Sequence, residues 1–172
     1  MRKLLVIEEW DEKHPRWNEA LQVIETLGQT NWAAAGYAWH HSSHLLVAQI
    51  DGVVAGFLRF VVQSIGPEND HAPVVLSGKE LAEAKILAFG VLTNYRRQGI
   101  GRALQESALG RARELGCYQV RSHSGGENDA NHQLKLAMGF GVCPVVRGQD
   151  DRGVYFVMPL LAEPRDPQRP PG

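Results

Sequence analysis

The stretch Lys85-Ile-Leu-Ala-Phe-Gly-Val-Leu-Thr-Asn-Tyr-Arg-Arg-Gln-Gly-Ile-Gly-Arg-Ala-Leu104 predicts a buried strand, a tight basic turn and the start of a helix. Its apolar run from Ile86 to Leu92 has the length of a strand. From Gly99 onward the apolar residues recur at helical spacing as far as Leu115, and Gly116 follows as a C-cap. The sequence therefore places a basic turn between a buried strand and an amphipathic helix.

The basic turn has the composition of an anion-binding loop. Glycine at positions 99 and 101 lets a ligand approach the backbone, because no Cβ stands in the way. The first amides of a helix have no partner inside the helix and carry partial positive charge. Arg96, Arg97 and Arg102 add full charges beside them. We therefore predict a phosphate or pyrophosphate site, with a ligand-free tight turn as the alternative.

Three known kinds of phosphate-binding loop contain glycines in a similar arrangement. A P-loop requires Gly-Lys-Ser/Thr, where this chain has Gly101-Arg102-Ala103. A dinucleotide fingerprint requires a third Gly or Ala, where this chain has Leu104. The remaining pattern is Arg96-x-x-Gly99-x-Gly101 after an apolar strand. It resembles the acyl-CoA loop of the GNAT-type N-acetyltransferases, whose pattern is Arg/Gln-x-x-Gly-x-Gly/Ala.

The order of predicted elements resembles the same family. It runs strand, two helices, three strands, helix, strand, helix and two strands, over residues 3 to 161. The resemblance implies an α/β (α+β) fold, with a mixed, mostly antiparallel twisted sheet of about seven strands and about four flanking helices. We expect one domain over residues 1–162. The Pro-rich residues 163–172 have nothing to bury and are expected to be disordered.

The first half of the chain supplies the predicted acceptor side. Pro15 to Leu27 predicts an amphipathic helix. The aromatic stretch from Thr30 to Trp39 predicts a short second helix, which either packs in the core or forms a wall of the acceptor pocket. Asp51-Gly52 between two β-branched runs predicts a hairpin. Three histidines between these segments are interpreted as solvated loop residues rather than metal ligands, namely His40, His41 and His44.

Composition limits the range of partners. The 172 residues carry a net charge of -1, which gives no reason to expect a nucleic acid or a membrane as partner. Cys117 and Cys143 have neither metal-type nor redox-type spacing and are interpreted as buried reduced thiols. No metal is expected. The short apolar run at the N-terminus is not a signal sequence, so we expect a cytoplasmic protein.

The resemblance implies acetyl-CoA as cosubstrate. Its pyrophosphate is expected on the backbone amides of residues 97–102, and its pantetheine arm on the main chain of residues 89–91, like an added strand. A second match is the helix that ends at Gly139-Phe140 and begins near an asparagine that faces the cofactor. The predicted cofactor-binding residues are Phe89, Gly90, Val91, Arg96, Arg97, Gln98, Gly99, Ile100, Gly101, Arg102 and Asn128.

The implied reaction is direct attack of an amine on the thioester carbonyl. In many relatives a tyrosine protonates the departing thiolate, but its place here holds Lys135, which is interpreted as a solvated helix lysine. Glu83 is the first candidate for the base, because strand alternation puts it on the face of Phe89 and Val91 unless a bulge intervenes. His123 is the second, and deprotonation through ordered water is the third possibility.

Two function classes follow from the sequence. The first is an N-acetyltransferase acting on a primary amine of a small molecule or a peptide. The second is a non-catalytic acyl-CoA-binding or sensing module that uses the same loop. The absence of the usual tyrosine is the reason for considering this class. A homodimer is left open by the sequence, and the acceptor is not identified, because acceptor pockets are built from variable helices and loops.

Overall fold

A computed structural model describes residues 3–125, 128–144 and 153–160. Within these ranges the main sheet has seven strands in the order β1-β2-β3-β6-β7-β9-β8. The β6–β7 pair is parallel and the other neighbours are antiparallel. β4 and β5 form a separate small hairpin. The strands are β1 (Leu5–Trp10), β2 (His40–Ile50), β3 (Val53–Ser64), β4 (Val75–Leu76), β5 (Lys79–Glu80), β6 (Ala82–Val91), β7 (Gln119–Ser124), β8 (Gly141–Pro144) and β9 (Val154–Pro159).

Four α-helices flank this sheet in the part of the chain that the structure describes. They are α1 (Trp17–Thr26), α2 (Thr30–Ala34), α3 (Ile100–Glu114) and α4 (Asp129–Ala137). The predicted fold class, a mixed and mostly antiparallel sheet with helices on it, is confirmed. None of the described helices is long and apolar enough to cross a membrane.

The β2–β3 hairpin forms as its sequence predicts. Asp51 and Gly52 both have positive φ, at 48° and 81°, which is the geometry of a two-residue type I′ turn. The turn aligns two long, mostly buried strands, which lie second and third in the order of the sheet. Its partner on the other side is β6, the strand of the decisive stretch.

The core lies on both faces of the sheet. α3 packs on one face, where Leu104 contacts a cluster that includes Phe60, Ile86, Val120 and Phe156. α1 packs on the other face, over a cluster of Trp10, Ile24, Val47, Phe57 and Ala88. The apolar stripe of each helix therefore faces the sheet, as the helical spacing predicts.

The central strands separate at one end of the sheet. β6 and β7 pair from Glu83 opposite Gln119 to Ile86 opposite Ser122. Beyond that point β6 runs on to Val91 beside β3, and β7 runs on to Ser124 beside β9. The register between β3 and β6 also shifts here, because Phe60 faces Ile86 and Arg59 faces Ala88, which leaves one extra residue at position 87.

Three local predictions were wrong. The second helix ends at Ala34 instead of Trp39. His40, His41 and His44 belong to β2 rather than to a loop, and His44 is buried, with its ring between Ser42 and a carboxylate oxygen of Glu9. Cys117 is buried as expected, but Cys143 is exposed. The predicted C-terminal tail lies outside the described residues.

Candidate functional site

The N-terminus of α3 offers free amides. Gly99 occupies the N-cap position with φ of 79°, and none of the described side chains caps the helix. The first turn of α3 therefore keeps backbone N–H groups that its own helix cannot satisfy. Arg97, two residues earlier, is also held at a positive φ of 58°, a conformation that costs a non-glycine residue energy. The conformation of the turn therefore has a local energetic cost, and its backbone amides point out of the helix.

The side chains around this turn are basic and exposed. Arg96 donates from Nε to the carbonyl oxygen of Val91 at 3.0 Å, and Arg102 pairs with Glu106 at 2.9 Å. Lys3 adds a further cation from the start of the chain, because its Nζ donates to Gln98 Oε1 at 3.3 Å. Sequence reasoning missed Lys3, since only the tertiary fold brings residues so distant in sequence together.

The two glycines of the turn have different surroundings. A Cβ on Gly99 would meet no atom within 4 Å, so the space outside its backbone is open. A Cβ on Gly101 would lie 3.2 Å from Phe89 Cζ and 3.7 Å from Leu134 Cδ2. The glycine at 101 therefore lets Phe89 pack against the helix, a role in the fold that the sequence analysis did not assign.

One edge at the end of β6, beyond Ile86, pairs with no strand that the structure describes. Leu92 N–H bonds to Ala55 O on the β3 side, so the alternation of a strand turns the polar groups of Val91 and Phe89 away from β3. Two side chains reach these carbonyls from outside: Arg96 at Val91 O and Gln29 at Phe89 O, the latter at 3.2 Å. A strand-like ligand could replace these contacts.

Glu83 lies on the other face of β6 from the one expected. The extra residue at position 87 reverses the alternation of side chains along β6. Glu83 therefore lies on the face away from α3, whereas Phe89 and Val91 pack on the α3 face. Its carboxylate is 1% exposed and accepts hydrogen bonds from Gln63, Gln119 and Arg121. Arg121 also pairs with Glu68, which in turn contacts Lys85. Glu83 thus belongs to a buried ionic network.

His123 lies where the central strands have separated. It follows Ser122, the last residue of β7 that pairs with β6, and it is exposed. Its ring meets the ring of Tyr155 edge-on, with centroids 5.4 Å apart. Arg121, two residues earlier on the same face, lies 4.7 Å from the Tyr155 ring centroid. His123 and Glu83 therefore lie on one face of the sheet, opposite to α3.

Lys135 is not solvated, and that interpretation was wrong. The residue is 0% exposed, and its Nζ has no hydrogen-bond partner among the described residues. Its Nζ lies 5.0 Å from the ring centroid of Phe140. Burial lowers the pKa of the Lys135 ammonium from 10.5 to about 7. A lysine of this kind can gain or lose a proton near neutral pH.

α4 places Lys135 close to the separated strands. Asn128 is the N-cap of the helix, and its Oδ1 accepts from Asn131 N–H at 3.4 Å. The Asn131 side chain donates to Ser124, at the end of β7, at 3.1 Å. Lys135 lies one turn after Asn131, on the same side of the helix. Gln105 of α3 is also fully buried, and its amide has no hydrogen-bond partner among the described residues.

Within the described ranges, no group of three or more His, Cys, Asp or Glu side chains is placed to hold a metal ion. The site offers an anion-binding helix start, an open strand edge, an exposed histidine and a buried lysine. The open edge of β6 and His123 lie at the end of the sheet where β6 and β7 separate, and the basic turn follows β6 directly.

Solved structures show the same fold. NAA60 from Arabidopsis thaliana, solved in complex with acetyl-CoA, has a TM-score of 0.67 at 18% identity, covering 91% of this chain and 99% of that one. The protein yncA from Salmonella typhimurium, solved with its cofactor acetyl-CoA, has a TM-score of 0.60 at 18% identity, covering 95% and 97%. A search of curated proteins by sequence gave no match.

A family model agrees with the motif and with the fold. The model described as Acetyltransferase (GNAT) family matches residues 5–140, which contain the basic turn, the unpaired edge of β6 and the whole of α4. The match covers well over half of the chain. The chain therefore belongs to the acetyltransferase (GNAT) family and is an acyltransferase that uses acetyl-CoA as its cosubstrate.

Proposed function

We propose that the protein is an N-acetyltransferase that moves the acetyl group of acetyl-CoA directly to a primary amine of a small molecule or a peptide. The observation that carries the proposal is the meeting of two features: the uncapped start of α3 and the unpaired edge of β6. The first suits a pyrophosphate, and the second suits the amide groups of pantetheine. NAA60 was also solved with a bisubstrate analogue, at a TM-score of 0.63.

The cofactor would lie along the turn and the strand edge. Residues 97–102 would bind the pyrophosphate through backbone N–H groups, with the arginine side chains and Lys3 around them. Residues 89–91 would pair with the pantetheine arm through the polar groups that point away from β3. Arg96 would leave Val91 O when the arm arrives, and Asn128 would face the arm from the start of α4.

The reaction needs a donor for the oxygen on which charge develops. The N–H of Val91, which strand alternation turns away from β3, would take this role. The amine nitrogen forms a bond to the thioester carbon, and the carbon–sulfur bond then breaks. The ammonium proton of the attacking amine must pass to a base, and the thiolate must gain a proton to leave as CoA. Each proton therefore needs a partner on this chain or in water.

Lys135 is our candidate for the acid. A protonated amine with a pKa of about 7 is a stronger acid than a thiol, whose pKa is about 8.5, so the transfer to the thiolate is favourable. The residue is buried on α4, one turn after Asn131, whose side chain donates to Ser124 at the end of β7. It would regain its proton from solvent after each turnover. This proposal replaces the role of a solvated side chain.

His123 is our first candidate for the base, and Glu83 is the second. His123 is exposed at the end of β7, on the face opposite to α3, where an incoming amine has access. The Glu83 carboxylate is already bound by a guanidinium and two amides, so it would lose these bonds on taking a proton. A neutral imidazole nitrogen that can accept a proton is the better match for this step.

The test is turnover of acetyl-CoA with a panel of primary amines. Release of free CoA should depend on the amine, and mass spectrometry should find the acetylated amine in equal amount. The control is Arg113→Gln, an exposed position on α3 outside the site, which should turn over at the wild-type rate. Tight binding of acetyl-CoA with no amine-dependent release would contradict the proposal and favour an acyl-CoA-sensing module. A cytoplasmic location and a homodimer stay predictions.

A further inference from the structure

A separate cavity lies on the face of the sheet that carries His123. Its volume is about 540 Å³, and it lies under α1 and α2, above β2 and β3. The walls are mainly apolar, and the polar groups are few: Glu25, Thr30, Ser43 and Arg59. A cavity of this size and lining is typical of a small-molecule site. The apolar residues that line it are Trp17, Leu21, Ile24, Ala33, Ala34 and Leu45.

Arg59 is the cation of this cavity. It comes from β3 and is only 8% exposed. Its guanidinium donates to Ser43 Oγ and to the Trp32 carbonyl, each at 3.0 Å, and it has no ion pair among the described residues. Burial lowers the pKa of the Arg59 guanidinium, because removal from water disfavours its charged form. The side chain is therefore a desolvated cation held by neutral acceptors, with donors to spare.

Glu25 does not neutralise this cation. Its side chain is exposed, and no ion pair joins it to Arg59 within the part of the chain described. Water screens the exposed Glu25 carboxylate, so it compensates little of the positive charge of the buried Arg59 guanidinium. A buried guanidinium without a counter-ion is costly, and a carboxylate that binds it in the fork geometry would remove that cost.

The cavity is adjacent to the reacting end of the sheet. Arg59 faces Ala88 in the β3–β6 register, directly after the extra residue at position 87. Ala88 packs on the α1 side of the sheet. The cavity therefore lies on that face, next to the end of β6 where β6 and β7 separate. A ligand in the cavity can therefore present a group toward the strand edge where the thioester would lie.

We infer that this cavity binds the acceptor and that the acceptor is an amine which also carries a carboxylate on an apolar body. The carboxylate would bind Arg59, the apolar body would contact α1 and α2, and the amine would extend toward the edge of β6. This inference rests on the proposed function, because it names the acceptor class for the same transfer. The aromatic stretch of the sequence contributes Thr30, two alanines and the Trp32 carbonyl to the site rather than an aromatic wall.

The test compares ligands that differ only in charge. Turnover is measured with straight-chain ω-amino acids of increasing length and with their carboxamides, and binding with 4-phenylbutanoic acid and its amide, which lack an amine. The wild type should prefer each carboxylate by at least about tenfold, since a charged hydrogen-bonded pair contributes about 1.5 to 3 kcal/mol. Arg59→Gln should reduce that preference to near one, whereas Arg113→Gln should keep it.

Filling the cavity gives an independent variant. Ala33→Phe adds volume at a wall residue without touching Arg59, and it should weaken binding of 4-phenylbutanoic acid at least about tenfold. Circular dichroism and the unfolding midpoint check that each variant is folded. Equal binding of acid and amide by the wild type, or a preference that survives in folded Arg59→Gln, overturns the inference. If no amine is acetylated, the proposed function fails. The preference in binding of 4-phenylbutanoic acid over its amide then decides the inference by itself.

Discussion

Replacing Lys135 by methionine should make the protein more stable and less active. The lysine is fully buried, and its Nζ finds no hydrogen-bond partner in the described chain. At about 1.4 kcal/mol per pKa unit, a shift from 10.5 to about 7 costs the protonated folded state on the order of 4 to 5 kcal/mol. Methionine is unbranched and neutral, so it fills the same space without this cost.

The pH dependence gives the sign of the effect. Between pH 7 and pH 10 the unfolded chain keeps the Lys135 proton and the folded chain does not. The free energy of unfolding of the wild type should therefore rise with pH by up to about 1.4 kcal/mol per unit relative to Lys135→Met. At pH 7 the variant should be more stable by up to about 4 kcal/mol, and the difference should vanish near pH 10.5.

Urea denaturation at several pH values between 7 and 9.5 measures this difference. Lys79→Met is the matched control, because Lys79 is exposed on the small β4–β5 hairpin, and its replacement should leave the slope with pH unchanged. A Lys135→Met protein that is less stable than the wild type, with the same pH slope, would show that the ammonium is solvated or paired. That result would remove the physical basis for its low pKa.

The same variant tests the role of Lys135 as the acid. We expect kcat to fall about ten- to a hundredfold, less than the full range of acid catalysis because a thiolate leaves readily. Affinity for acetyl-CoA should stay within about twofold, and the alkaline limb of the pH–rate profile should disappear. Lys135→Tyr should restore part of the rate. Wild-type turnover in folded Lys135→Met would remove the lysine from the mechanism.

Three further variants address the loop and the candidate bases. Arg97→Gly should lower acetyl-CoA affinity severalfold while raising unfolding free energy by up to about 1 kcal/mol, since the φ of 58° no longer strains the backbone; calorimetry and urea titration measure the two, and lower stability would refute the strain. His123→Asn should slow turnover about a hundredfold at neutral pH and remove the acid limb of the rate profile, whereas an unchanged limb would exclude it. Glu83→Gln should lower unfolding free energy by about 3 kcal/mol, because it breaks a buried ion pair, with kcat little changed; a shifted acid limb would make Glu83 the base.

The strand, the basic turn and the following helix were predictable from sequence because they depend on local signals. The apolar run, the two glycines and the helical spacing each reflect the conformation of neighbouring residues. The hairpin at Asp51-Gly52 is of the same kind, since both residues tolerate positive φ. The predicted order of elements therefore agrees with the observed sheet.

The positions of charged side chains were not predictable in the same way. The extra residue at position 87 leaves no sequence signal, yet it moves Glu83 to the opposite face from Phe89. Lys135 has the sequence context of a surface helix residue, and only the packing of α4 against its neighbours shows its burial. Arg59 looked like one polar residue in a long apolar strand, and its cavity depends on how α1 and α2 cover the sheet.

Acetyl-CoA affinity in a matched pair of glycine variants tests the central claim most directly. Gly99 and Gly116 lie at opposite ends of α3 with φ of 79° and 76°, and a Cβ on either meets nothing within 4 Å. Leucine at either position should therefore cost a similar 1 to 2 kcal/mol, roughly, in unfolding free energy. If the start of α3 binds the pyrophosphate, Gly99→Leu should weaken acetyl-CoA binding at least about tenfold and Gly116→Leu should not. Equal affinities in the two folded variants would contradict the assignment of this turn as the cofactor site.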